Sequence, residues 1–67
     1  MKNYPSIGSR YQHYKGGIYL ILQLCKHTET GEDMVFYQSE HFGSFYVRPL
    51  DSFNELVDNI PRFDLLF

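Results

Sequence analysis

Sixty-seven residues with a single cysteine and a formal net charge of −2 make one domain near the lower size limit for folding without disulfides or metal, and they exclude an intramolecular disulfide framework. Six Tyr and six Phe, each ring burying roughly 150–250 Å², point to an aromatic core as compensation, with dimerisation as another route. The longest apolar run, Ile18 to Leu24 broken by Gln23, is far short of the ~20 residues that span a bilayer, and no charged-then-apolar leader precedes the first motif. A soluble protein in a reducing, cytoplasmic setting is expected.

Residues 1–9 contain Pro5, Gly8 and two serines without periodicity, and read as a flexible or loosely docked N-terminal arm. Residues 10–67 form the domain. Arg10 to Lys15 is rich in Tyr and His, and Gly16-Gly17 supplies the positive-φ pair that a tight hairpin turn uses. Ile18 to Lys26 is the strongest strand: Ile18, Leu20, Leu22 and Leu24 alternate with Tyr19, Ile21, Gln23 and Cys25, giving two largely apolar faces, as in a bent central strand. His27 to Glu32 is polar and reads as a loop.

A second hairpin joins Met34–Gln38 to Phe45–Pro49. Aligning Val35 and Tyr37 with Phe45 and Val47 gives one core face, and places Phe36, Gln38, Tyr46 and Arg48 together on the other, where an arginine can lie against aromatic rings. Pro49 ends the strand. Ser52 and Glu55 form a capping-box pattern, and Phe53, Leu56, Val57 and Ile60 fall on one helical stripe that could plug an open barrel end. Pro61 stops that helix, and residues 62–67 read as an edge strand with Phe63 and Leu65 inward. The expected fold is mainly β: a small five-stranded SH3-like antiparallel barrel with one short helix or 3-10 turn near the C-terminus. An open β-meander with the helix packed across it is the alternative.

Charge is unevenly distributed. Residues 1–27 carry Lys2, Arg10, Lys15 and Lys26 with no acid, whereas residues 28–67 carry eight acids against Arg48 and Arg62. Either the two halves neutralise each other across the fold, or a basic patch faces a ligand phosphate.

Several short motifs, in order, are Tyr11-x-His13-Tyr14-Lys15-Gly16-Gly17-x-Tyr19, His27-Thr28-Glu29-Thr30, Val35-x-Tyr37-Gln38, Tyr46-Val47-Arg48-Pro49-Leu50 and Pro61-Arg62-Phe63. Together they resemble a small bacterial and phage family catalogued as domain of unknown function 1653, over nearly all of residues 10–64. The resemblance implies an SH3-like β fold and no established activity. Tyr46 stands where the family usually shows tryptophan or another bulky aromatic, and Thr28 where it shows a small residue such as serine. Residues through Ser9 and the Glu40–Ser44 turn lie outside the pattern.

The polar residues of these motifs are the candidate ligand-binding set: His13, Lys15, Tyr19, His27, Glu29, Thr30, Gln38, Tyr46 and Arg48. His13 and Lys15 on one strand face would lie about 7 Å apart, a span a phosphate can bridge; alternatively Lys15 is solvated and His13 bonds the neighbouring turn. His27–Thr30 reads equally as a binding loop or as a self-bonded turn. Arg48 could grip a carboxylate or phosphate bidentately, or fasten the loop through Glu29 or Glu32. Cys25-x-His27 lacks zinc-site spacing, so no metal or cofactor is expected, and no nucleophile–base arrangement or phosphate loop suggests an enzyme. The expected function is a binding module for an anionic ligand, such as a nucleotide or nucleic-acid segment. The alternative is a protein-interaction or inhibitor domain using its aromatic face, and a small hydrolase comes last. The protein is expected to be a monomer or weak homodimer.

Overall fold

The computed structural model describes residues 3–66; Met1 and Lys2 of the expected arm and Phe67 of the expected closing strand lie outside the described residues. The chain is mainly β. Strands β1 (Arg10–His13), β2 (Ile18–Lys26), β3 (Asp33–Ser39) and β4 (Phe45–Pro49) follow one another as an antiparallel meander. A four-residue helix α1 (Leu50–Phe53) and a small hairpin of β5 (Leu56–Val57) and β6 (Ile60–Pro61) come next. β7 (Phe63–Leu65) then returns to pair with β1. The main sheet has the order β4-β3-β2-β1-β7. It does not close into the expected barrel: β4 and β7 are its margins and do not pair with each other.

The two-faced pattern of β2 is resolved by a bulge. Tyr19 and Ile21 pair with Ser39 and Tyr37, the register then skips Leu22, and Gln23 and Leu24 pair with Phe36 and Val35. The extra residue exchanges the inward set, so Tyr19, Ile21 and Leu24 all meet the core although their spacing is not uniformly even. A bulge also bends its strand, which curves the sheet around that core. The core is Ile21, Val35, Tyr37, Leu50, Phe53 and Phe63, tied by Phe53 and Phe63 stacked at 4.3 Å and 7°. A core cluster of six side chains is small, so ring packing does much of the stabilising.

The β3–β4 register differs from the sequence expectation. Val35 opposes Arg48, Phe36 opposes Val47 and Tyr37 opposes Tyr46. Val35, Tyr37, Tyr46 and Arg48 therefore share the concave core face, and Phe36, Gln38, Phe45 and Val47 share the convex one. Phe45 is 61% exposed and Val47 58%. Side chains sharing a face sit opposite one another, and both strands carry aromatics on both faces, so alternation alone fits either register.

The helical stripe is also corrected. α1 begins at Leu50, directly after Pro49, and has no side-chain cap. Asp58 and Asn59 take left-handed conformations, φ 51° and 65°, as the central pair of a type I′ hairpin turn does. Leu56 and Ile60 thus lie on a two-stranded ribbon, exposed. In β7 Phe63 is buried, but Leu65 is exposed rather than inward.

Before β1, the amide of Gly8 donates to the Ile21 carbonyl at 2.8 Å and Ile21 N–H to the Ser9 carbonyl at 2.9 Å. Tyr4 donates to Asp33 at 2.8 Å. Ion pairs join the basic and acidic halves, Arg10 with Glu40 and Lys26 with Asp33, both at 2.5 Å. Among the described residues no helix is long and apolar enough to cross a membrane.

Candidate functional site

A cavity of about 160 Å³ opens on the concave face, lined by His13, Tyr19, Tyr37, Tyr46, Arg48 and Phe63. Five strands supply it: β1 ends at His13, β2 contributes Tyr19 one residue after the hairpin turn, β4 and β3 present Tyr46, Arg48 and Tyr37, and β7 inserts Phe63 opposite His13. The rings pack edge to face. Tyr19 stands at 72–85° to His13, Tyr37, Tyr46 and Phe63, with centroids 5.3–6.5 Å away, the arrangement that ring quadrupoles favour. Tyr37 and Tyr46 stack at 5.7 Å and 28°.

Phe63 carries the cationic side of the cavity. The His13 ring meets it edge-on at 5.0 Å, and the Arg48 guanidinium lies 5.6 Å from its centroid, within cation–π range. Arg48 is held from the protein side: Nε donates to the Tyr37 hydroxyl at 3.3 Å and Nη1 to the Ser52 hydroxyl at 3.0 Å. A guanidinium has five N–H donors, and no carboxylate pairs with Arg48 among the described residues. The alternative anchoring of Arg48 by Glu29 or Glu32 is therefore not formed, and Ser52 holds the arginine rather than capping a helix.

His13 accepts the Lys15 N–H at Nδ1, 3.1 Å, so the neutral ring keeps its proton on Nε2. Burial, and then the positive charges of Arg48, Arg62 and Lys15, push its pKa below the ordinary histidine value. Those three cations mark a region of positive potential on a chain of net charge −2. Arg62 adds a second constrained guanidinium nearby: its Nη2 donates to Glu55 at 3.2 Å, while Nε is buried without a partner.

The structure thus brings together His13, Tyr19, Tyr46 and Arg48 of the sequence-derived set, and adds Tyr37 and Phe63. Those two were read as core; the Pro61-Arg62-Phe63 motif is the signal that could have placed Phe63 here. Lys15 is not on a strand face with His13, because β1 stops at His13 and Lys15 sits in the turn, its ammonium 5.8 Å from the Tyr14 ring. Gln38 faces the convex side and donates to the Gly43 carbonyl at 3.1 Å. His27, Glu29 and Thr30 sit beyond the other end of β2. There His27 Nδ1 accepts the Glu29 and Thr30 amides at 3.1 and 3.4 Å, and the Thr30 hydroxyl accepts the Glu32 amide at 3.2 Å. His27 and Thr30 thus spend these acceptors on the loop's own backbone.

A family model described as "Protein of unknown function (DUF1653)" matches residues 9–65. With nearly the whole chain covered, the protein belongs to that family. No curated protein and no solved structure matches the chain significantly.

Proposed function

We propose that this member of the DUF1653 family is a binding module that captures an anionic group, a phosphate or carboxylate, between Arg48 and His13. One observation carries the reading: a guanidinium and an imidazole lie against the same Phe63 ring inside one cavity, and among the described residues no carboxylate neutralises the arginine. Leaving an arginine so placed without a counter-charge is unfavourable in a partly dry site unless an anion completes it. The Tyr46 and Tyr19 rings wall the cavity and lower the local dielectric, which strengthens the attraction. The meander order with α1 between β4 and β7, and the bend at the β2 bulge, support reading the scaffold as an opened SH3-like barrel. The alternative, a protein partner held on the aromatic face, would engage Tyr46 and Arg48 too, but it leaves the cationic lining without a specific purpose.

The test is a titration of inorganic phosphate and of acetate into the ¹⁵N-labelled protein at low salt. Saturable shifts are expected at His13, Tyr19, Tyr46 and Arg48, with affinity falling about tenfold or more in Arg48→Gln, provided its amide spectrum remains that of the folded protein. Absence of any saturable shift at these residues for both anions would overturn the reading.

A further inference from the structure

The basic cavity, about 160 Å³, is smaller than the roughly 300–1,000 Å³ of sites that enclose a whole small molecule. It suits one end group. Directly beside it lies a larger groove of about 460 Å³, lined by Gly16, Gly17, Ile18, Tyr19, Ser39, Glu40, His41 and Phe42. Tyr19 lines both spaces, so a ligand anchored at Arg48 has its next group led past the Tyr19 ring into this groove.

The chemistry of the groove is that of a bed for a planar ring. One wall is the Gly16-Gly17 backbone, without side chains, at the tip of the first hairpin. The other is the β3–β4 turn, where Phe42 is 77% exposed with its ring edge-on to His41 at 4.5 Å and 84°. A phenyl ring so exposed at a loop tip covers no core and has a face open for stacking on a planar group. Polar groups ring the bed. The Ser39 hydroxyl accepts the Phe42 N–H at 3.1 Å and retains its own proton to donate. The Glu40 carboxylate, held ionised by its hydrogen bond from Arg10, is an acceptor. Both Glu40 oxygens already accept from Arg10 and each keeps a further lone pair; a heteroaromatic ring has edge donors and acceptors to meet these groups, which a hydrocarbon ring lacks.

The charge layout decides between one phosphate and many. Arg48, Arg62 and Lys15 gather around His13, while Glu40 borders the groove and the chain carries net charge −2. An extended nucleic-acid backbone needs a row of cations along its path. Glu40 is paired with Arg10, so the groove end is near neutral, and the net positive charge lies at the cavity end.

We propose that the captured anion is the phosphate of a mononucleotide, with the phosphate at Arg48 and His13 and the base in the groove between the two hairpin tips. This rests on the anion-binding reading of the Arg48 cavity and extends it to a ligand class.

The experiment compares, in the wild-type protein, inorganic phosphate, the four common ribonucleosides, their 5′-monophosphates, and a 5′-phosphorylated trinucleotide. At least one monophosphate is expected to bind roughly tenfold more tightly than phosphate, shifting the amides of Gly16, Gly17 and Phe42 as well as those of the cavity. The trinucleotide should bind no more tightly than that monophosphate. Phe42→Ala, at an exposed position where folding is not at stake, should weaken the monophosphate about fivefold or more. Phosphate binding with no gain for any monophosphate would overturn this inference and leave the anion site standing; no binding of phosphate or any monophosphate would end both. A trinucleotide binding much more tightly would also overturn it, in favour of a nucleic-acid ligand.

Discussion

Arg48 Nε donates to the hydroxyl of Tyr37 at 3.3 Å, and Tyr37 is a core residue, so the guanidinium is oriented from the interior of the sheet. Tyr37→Phe keeps the ring that stacks on Tyr46 and removes only the acceptor. A stability loss of about 0.5–1.5 kcal/mol is expected in urea denaturation, together with a severalfold loss of phosphate affinity. Ser52→Ala, which removes the partner of Nη1 at 3.0 Å, should act in the same direction. Wild-type phosphate affinity in both variants would show that the two hydroxyls do not position the arginine.

The depressed pKa of His13 makes stability pH-dependent. Its neutral form is favoured in the folded protein because burial, and then Arg48, Arg62 and Lys15, oppose the imidazolium. Around it also stand the rings of Tyr14, Tyr19 and Phe63. With a folded pKa below the ordinary histidine value of about 6.5, the unfolded chain binds the proton first as pH drops. His13 therefore contributes stability in full above about pH 6.5, and that contribution is lost as pH falls through the folded pKa. Urea midpoints measured from pH 8 to pH 5 should decline less steeply in His13→Gln than in the wild type. Saturating phosphate should raise the His13 pKa, an effect read from its ring resonances. A steeper decline in the variant would contradict the sign.

Gly16 and Gly17 are adjacent but answer to different constraints. Gly16 has φ +109°, a conformation L side chains rarely adopt, and Gly16→Ala should cost about 1–2 kcal/mol. Gly17 is limited by its neighbour instead: a Cβ there would lie 3.0 Å from the Tyr19 hydroxyl and 3.1 Å from its ring. Gly17→Ala should leave stability nearly unchanged while displacing Tyr19 by a few tenths of an ångström, seen as altered Tyr19 ring shifts and a severalfold weaker anion. Equal stability losses in the two variants would refute the distinction.

The C-terminal segment shows why part of the fold was not legible. Phe53, Leu56, Val57 and Ile60 have helical spacing, but spacing reports what a helix would do if formed, and it says nothing of the competing turn. Asp58-Asn59 is a pair that tolerates positive φ, and here it takes φ 51° and 65°. Asn59→Ala separates the two: in a helix it would stabilise, because Ala has the better propensity, whereas in this turn it should destabilise by about 1 kcal/mol. A rise in melting temperature would favour the helix.

The candidate site was legible where a motif residue sat on a strand facing the core, as His13, Tyr19, Tyr46 and Arg48 do. It was not legible where loop residues such as His27 and Thr30 close hydrogen bonds on themselves, since binding loops and self-bonded turns use the same residue types. The hairpin register was the other gap, and it decides which face is the site. In the register with Val35 and Val47 on one core face, truncating either valine would be costly. In the observed register Val35 is fully buried and Val47 is 58% exposed, because Val47 opposes Phe36 on the convex side. Val35→Ala should therefore lose about 1.5–3 kcal/mol in urea denaturation, and Val47→Ala less than about 1 kcal/mol. Comparable losses would move Arg48 to the outer face, away from Phe63 and His13, and the anion site would lose its geometry with it.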